Sequence, residues 1–362
     1  MTLLSTLRLA WRLNCQLRAT RNLSARSLMA NWTTLTTCCL FWFLAMPLAT
    51  LGQSNPPGGA KPAGLLGAIG NQFRVECGNP KAPLHSIGAA LKLAVNSAPA
   101  TLLISGTCHE NVVIQGLNNV TLQGNPTATI DGGSDASVGT VAIVGSLNIS
   151  LNKLTLTGGG QGVGCIGVSY CLLNQLTIEK TLGDGADVQA AARLEIVDSV
   201  IQNNAGAGLG VAGVGAFFGG AISGNGSDGV TLRNGGFFAT NPGNLTATVS
   251  IQNNSGDGIR TTLHNTVNLN SAIITGNTGD GVTLQIGSAM IMLTSSITNN
   301  GGHQVRIGDL SVARFAGFQS NTITGANSPD VVCDPQFSAT RQLTANAPGA
   351  TTNCPAELSP TP

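Results

Sequence analysis

The chain is poor in charge and in large aromatic side chains, and both shortages restrict what it can do. Only 9% of its 362 residues are charged, so no basic stripe exists to follow a phosphate backbone, and nucleic acid is excluded as a partner. Trp11, Trp32 and Trp42 all lie in the first 52 residues and Tyr170 is the only tyrosine. Beyond that leader, the aromatic platforms on which sugars stack are therefore scarce. There is no Cys-x-x-Cys pair and no run of His, so a zinc site is not expected. No apolar run reaches the roughly 18 residues of a membrane span. What the chain does have is 48 Gly and 42% hydrophobic residues. Low hydrophobicity with high charge marks disorder, and this chain has the reverse.

Arg8, Arg12, Arg18, Arg21 and Arg26 precede an apolar run from Cys39 to Leu51 that ends in small residues. This pattern predicts a secretory signal peptide over residues 1–52, with Met29 as an alternative start. Its removal takes five Arg and no acid, leaving twelve basic residues against sixteen acidic ones, a mature charge of about −4. The expectation is an exported protein, periplasmic, at the cell surface or extracellular, with no stable membrane span. Six of the nine Cys remain. Neighbours in sequence suggest Cys77–Cys108, Cys165–Cys171 and Cys333–Cys354, among 15 possible pairings.

Residues 53–70, rich in Pro and Gly, read as a flexible linker. Ser86 stands before Ile87, Leu91, Ala94 and Val95, apolar at helical spacing, which predicts a helix over 86–96 within an N-terminal cap of residues 71–100. Short alternating strands follow through residue 336, and residues 337–362 form a Pro-, Ala- and Thr-rich tail that a Cys333–Cys354 bond would tie back. Phe217-Phe218 and Phe237-Phe238 are placed to stack on neighbouring coils, with one Phe of each pair pointing inward.

The organising feature is a phrase, Ile-x-x-Asn-x-Gly-Asp-Gly-Val/Ile, seen most fully from Ile251 to Ile259 and from Ile274 to Val282. Looser copies begin at Ile178, Ile201, Ile222, Ile297 and Ile323, with gaps of 21 to 29 residues and most often 23. A period in the twenties, with period-2 alternation broken by Asn and Gly, means stacked coils of short strands. This resembles the right-handed parallel β-helix of the pectate-lyase-like superfamily, which implies an all-β solenoid of about nine coils with a short N-terminal capping helix. The opening Ile104-Ser-Gly-Thr-Cys-His-Glu110-Asn-Val-Val-Ile is similar to that of exported, pectinesterase-like β-helix proteins, without the catalytic Asp and Arg motifs of pectinesterases. A single solenoid of this kind is expected to be monomeric.

Stacking turns repeat positions into columns. Asn204, Asn225, Asn254, Asn277 and Asn300 stand three residues after the repeat Ile and predict an asparagine ladder that holds a turn. Asp184, Ala207, Asp228, Asp257, Asp280 and His303 stand six after it, with Arg260 and Arg306 three residues beyond Asp257 and His303. Asp before Gly is ordinary turn chemistry. Carboxylates in one groove also suit glycoside hydrolysis. Here the chain resembles polygalacturonase-type hydrolases, which carry Asn-Thr-Asp-Gly, Gly-Asp-Asp and Gly-Gly-His-Gly on successive coils and then Arg-Ile-Lys. The counterparts are Ser255-Gly-Asp257-Gly258, Gly279-Asp280-Gly281 and Gly301-Gly302-His303-Gln304. The resemblance implies that Asp257 activates water, Asp280 is the acid and His303 positions. Gly281 replaces the second Asp, Gln304 replaces the last Gly, and no Arg-Ile-Lys follows. Asp228, Arg260 and Arg306 complete the candidate binding set. No cofactor is expected; calcium bridging Asp228, Asp257 and Asp280 is the alternative, but calcium wants six to eight oxygens, and no calcium-binding ligand motif is present.

Three functions follow: an exported solenoid presenting its long solvent face to a polysaccharide or cell-envelope partner, a polysaccharide hydrolase or lyase using the Asp257, Asp280 and His303 column, or a structural or adhesive scaffold.

Overall fold

A computed structural model describes residues 71–242, 247–316, 321–334, 339–341 and 346–355, all within one compact unit, Gly67–Pro362. The signal peptide and linker expected over residues 1–70 lie outside the described residues, as do parts of the tail.

Each coil is built from residues that suit a half-buried strand. In the coil that contains Ile259–Thr261, Thr266–Asn270 and Ala272–Thr275, Ile259, Val267, Leu269 and Ile274 are fully buried while Arg260, Thr266 and Ile273 face out. The chain turns from the second strand to the third on one left-handed residue, Ser271 at φ 50°, as it does at Thr294 one coil later at φ 48°. Coil upon coil, every strand pairs in parallel with its equivalent. The repeat isoleucines lie directly above one another, Ile178, Ile201, Ile222, Ile251, Ile274, Ile297 and Ile323. Fully burying each such side chain contributes about 1.5–3 kcal/mol, so the periodic Ile sets the register.

The result is a right-handed parallel β-helix. One strand per coil forms a narrow sheet of ten strands, from Val112–Gln115 to Val331–Cys333, and the remaining strands form a seventeen-stranded sheet. The narrow sheet counts ten coils, close to the expected nine: its last seven strands each follow a copy of the repeat phrase, and the first three, Val112–Gln115, Val141–Val144 and Val163–Ile166, do not.

Helix α1, Ile87–Ala94, buries Ile87, Ala90, Leu91 and Ala94 over the first coil. Ser86 Oγ caps it by accepting from the Ala89 N–H. Glu110, from the coil below, accepts from the Ile87 N–H at 2.6 Å and the Gly88 N–H at 3.1 Å. That carboxylate meets the unpaired amides and positive end of the helix and fastens cap to solenoid. Residues Asn71–Glu76 form a further strand, parallel to Ala100–His109, so the cap region adds a strand to the large sheet as well as the helix.

Three disulfides join Cys77 to Cys108, Cys165 to Cys171 and Cys333 to Cys354. The last holds tail residues against the final coil, where Thr352 bridges Val331. The phenylalanines depart from the expected stack. Phe217 and Phe238 do point inward and are fully buried, but Phe237 registers with Val214 and Phe217 with Thr240. The turn before Phe237 runs from Arg233 to Gly236, against Ala212 and Gly213 one coil earlier, and its extra length displaces the pairs. No helix among the described residues is long and apolar enough to cross a membrane.

Candidate functional site

Two side-chain columns run beside the narrow sheet. In the inner one, Asn204, Asn225, Asn254, Asn277 and Asn300 are buried, and each Nδ2 donates to the Oδ1 of the next coil's asparagine at 2.8–3.0 Å. The same Oδ1 accepts the preceding coil's backbone N–H. The Thr181 hydroxyl donates into the first rung. At the far end Gln304 Oε1 accepts from Asn300: Gln304, in the place of the usual Gly, fills the rung that Ala326 leaves without an amide.

The outer column holds Asp184, Asp228, Asp257, Asp280 and His303. Each aspartate stretches one oxygen to the coil that follows: Asp184 Oδ1 accepts from the Ala207 N–H, Asp228 Oδ1 from the Asp257 N–H and Asp257 Oδ1 from the Asp280 N–H, all at 2.8 Å. Asp280 Oδ1 accepts from the His303 N–H at 2.6 Å. The flanking glycines are steric requirements. A Cβ on Gly258 would be driven into Ile274 Cγ2 and the Gly281 carbonyl, and one on Gly279 into Asp257 Oδ1.

The second carboxylate oxygens meet arginine. Arg260 donates from Nε to Asp228 Oδ2 at 3.1 Å and pairs through Nη2 with Asp257 Oδ2 at 3.2 Å. Arg306 donates from Nε to Asp280 Oδ2 at 2.5 Å, which also accepts the Thr283 hydroxyl. Arg306 is held even more firmly protonated than usual by its bond to Asp280. Burial pushes the Asp257 carboxyl upward, against the Thr283 hydroxyl, the Asp280 N–H and Arg260, while neighbouring Asp228 adds to the rise. His303 Nδ1 lies 2.7 Å from the Pro329 carbonyl. A carbonyl only accepts, so Nδ1 is the donor in this contact.

The structure therefore brings Asp228, Asp257, Asp280, His303, Arg260 and Arg306 onto one face. Both oxygens of Asp257 and Asp280 are engaged in that face's own bonds. The aspartates do not converge on a common point: among the described residues, the ligand atoms that gather within 4.8 Å belong to Cys77, Cys108 and Glu110. Those sulfurs form a disulfide and that carboxylate caps α1.

Sequence reasoning missed Asp187 and Arg233. Asp187 lies at the outward position of the strand Ala186–Val188, in line with Gly210, Thr231, Arg260, Thr283 and Arg306. Arg233 reaches back over Gly210 to pair with Asp187 Oδ1. A Cβ on Gly210 would collide with that oxygen and lie 2.9 Å from Arg233 Nη2 and 3.4 Å from Asp184 Oδ2, so the glycine opens the path. Burial raises the Asp187 carboxyl, Arg233 opposes the rise and Asp184 adds to it. The available signal was an acidic residue in the middle of an otherwise apolar three-residue strand.

No family model matches the chain, and no curated protein sequence matches it. Among solved structures it is similar to a pectate lyase, with a TM-score of 0.55 and 13% identity over 74% of this chain and 79% of that one. The fold is a pectate-lyase-like β-helix. It is also similar to the A-module of a mannuronan C-5 epimerase from Azotobacter vinelandii, with a TM-score of 0.51 and 15% identity over 75% of this chain and 92% of that one. At such identities the likeness to both concerns the β-helix itself.

Proposed function

We propose that this chain is an exported polysaccharide-binding β-helix, and that its ligand lies along the narrow sheet over Arg233, Arg260 and Arg306. The observation that carries this reading is the state of those three guanidinium groups. Arg233 and Arg306 are each fixed along one edge by a nearly buried aspartate and Arg260 by two, yet the side chains of Arg233, Arg260 and Arg306 are 40%, 41% and 37% exposed. A guanidinium already held in place loses little freedom on binding and offers its remaining N–H groups to a planar anion. Arg260 and Arg306 stand two rungs apart on one rigid sheet, about 10 Å at the spacing of paired strands. Carboxylate-bearing sugars are the class that fits such a line, and the names of the two structural neighbours, a pectate lyase and a mannuronan epimerase, agree with it. Three disulfides support an oxidising compartment.

Binding without catalysis accords with aspartates whose oxygens are engaged in the scaffold. A general acid or base needs an oxygen within reach of substrate, and Asp257 and Asp280 are only 4% and 8% exposed, with both oxygens of each already bonded to the scaffold.

The test is affinity electrophoresis of the purified protein in gels containing polygalacturonate or polymannuronate, beside reducing-end and unsaturated-product assays on the same polymers. Retardation by at least one polymer is expected, reduced tenfold or more in Arg260→Ala/Arg306→Ala and weakened by salt, with no product released. Absence of retardation by either polymer would refute the binding reading. Product release abolished by Asp280→Asn would replace it with the hydrolase or lyase reading.

A further inference from the structure

A second feature lies on the large sheet, away from the arginines. Outside the corners at Ser271 and Thr294 is an open cavity of about 300 Å³, lined chiefly by Thr248, Ser271, Ile273, Thr294, Ser296 and Thr322. That is roughly ten times a water molecule's share of liquid volume, and within the range of small-ligand sites.

The hydroxyls differ in how they are used. Ser295 Oγ donates to the Leu293 carbonyl and accepts from the Ala272 N–H, so it belongs to the corner's own structure, and Ser271 is engaged as well. The hydroxyls of Thr248, Thr294, Ser296 and Thr322 make no hydrogen bond among the described residues. Four unspent groups that can each donate and accept thus face one cavity. Among the described residues no charged side chain lines it, and Ile273, 41% exposed, gives it an apolar patch. Ser296 and Thr322 stand in register on adjacent strands, about 4.8 Å apart, so the sheet fixes their spacing before any ligand arrives.

A ligand for this cavity must be uncharged, able to donate and accept at several points, and apolar on one side. A neutral pyranose has those properties: a ring of hydroxyls around C–H faces. We infer that the corner cavity is a binding site for a neutral saccharide, separate from the arginine line and independent of what that line binds.

The full-length protein would be titrated with cellotriose, maltotriose and chitotriose, with glycerol as the control polyol, by saturation-transfer NMR and calorimetry. At least one trisaccharide is expected to bind saturably with a Kd on the order of 1 mM. Ser296→Leu, which fills the cavity, and Thr322→Val, which removes one hydroxyl, should each weaken that binding about fivefold or more while melting as the parent does. Arg260→Ala should leave it unchanged, whatever it does to polygalacturonate or polymannuronate binding. The inference is overturned if no trisaccharide shows saturable binding up to about 20 mM, if glycerol binds as well, or if both cavity variants bind like the parent.

Discussion

Truncating Asn254 tests the inner ladder where it has the most to lose. The side chain is fully buried and makes four bonds: Nδ2 donates to Asn277 Oδ1 and to the Ile222 carbonyl, while Oδ1 accepts from Asn225 Nδ2 and the Asn225 N–H. In Asn254→Ala, Asn225 Nδ2 keeps the Ile201 carbonyl and Asn277 Oδ1 keeps the Asn254 N–H. The Asn225 N–H is left with no partner. One orphaned buried donor costs about 1–3 kcal/mol, and the other lost bonds about 0.5–1.5 kcal/mol each before relaxation, so a loss of about 3–5 kcal/mol is expected. Urea unfolding followed by far-UV circular dichroism measures it, provided the slope with denaturant is unchanged. Asn254→Asp adds a second arm. It keeps the acceptor, loses both donations and buries a charge against two oxygens, so it should be less stable at neutral pH than near pH 4, where protonation returns a donor. A loss below about 1 kcal/mol in the alanine variant, or an aspartate variant indifferent to pH, would refute the claim that the ladder holds these turns.

Other consequences concern the outer column and the cap. The Asp187 carboxyl is raised in the fold, so the folded state binds more protons than the unfolded chain in that window. The stability it contributes is complete below the ordinary aspartate value of about 3.9 and is lost as pH climbs through its raised value. The melting temperature of Asp187→Asn should therefore gain on the parent's as pH rises from about 3.5 to 6.5; a gap moving the other way would show that Arg233 outweighs burial. Glu110→Ala removes the carboxylate from the Ile87 and Gly88 amides and should cost about 1–2 kcal/mol. Amide hydrogen exchange should rise in residues 87–94 before it does in the coils, and uniform protection there would argue against the clasp.

The fold was legible because the core is periodic. Once Ile251, Ile274 and Ile297 are seen 23 residues apart, burying one above another leaves little choice of register, and the structure pairs them so. The phenylalanines show the limit of that argument: a turn two residues longer changed which positions met, and turn length between non-repeating segments has no periodic signal. At the site, the sequence placed Asp228, Asp257, Asp280 and His303 on one line. It could not tell that each carboxylate would be claimed by the next coil's N–H, because the same spelling serves a free acid and a scaffold bond. Arg233 was hidden for another reason. Its partner Asp187 lies two coils away, and only the bare surface of Gly210 connects them.

The asparagine ladder also has a direction. Every interior rung gives through nitrogen and receives through oxygen, so the donors and acceptors it shows the coil above and the coil below are those of every other interior rung. Duplicating the 23 residues from Asn254 to Gly276 in place would leave no ladder donor or acceptor behind, and the stack would grow by one storey. The ends do not share this freedom, since Thr181 and Gln304 are each spelled for a single neighbour. Lengthening by internal copying is therefore chemically open to this protein, and extension at the ends is closed.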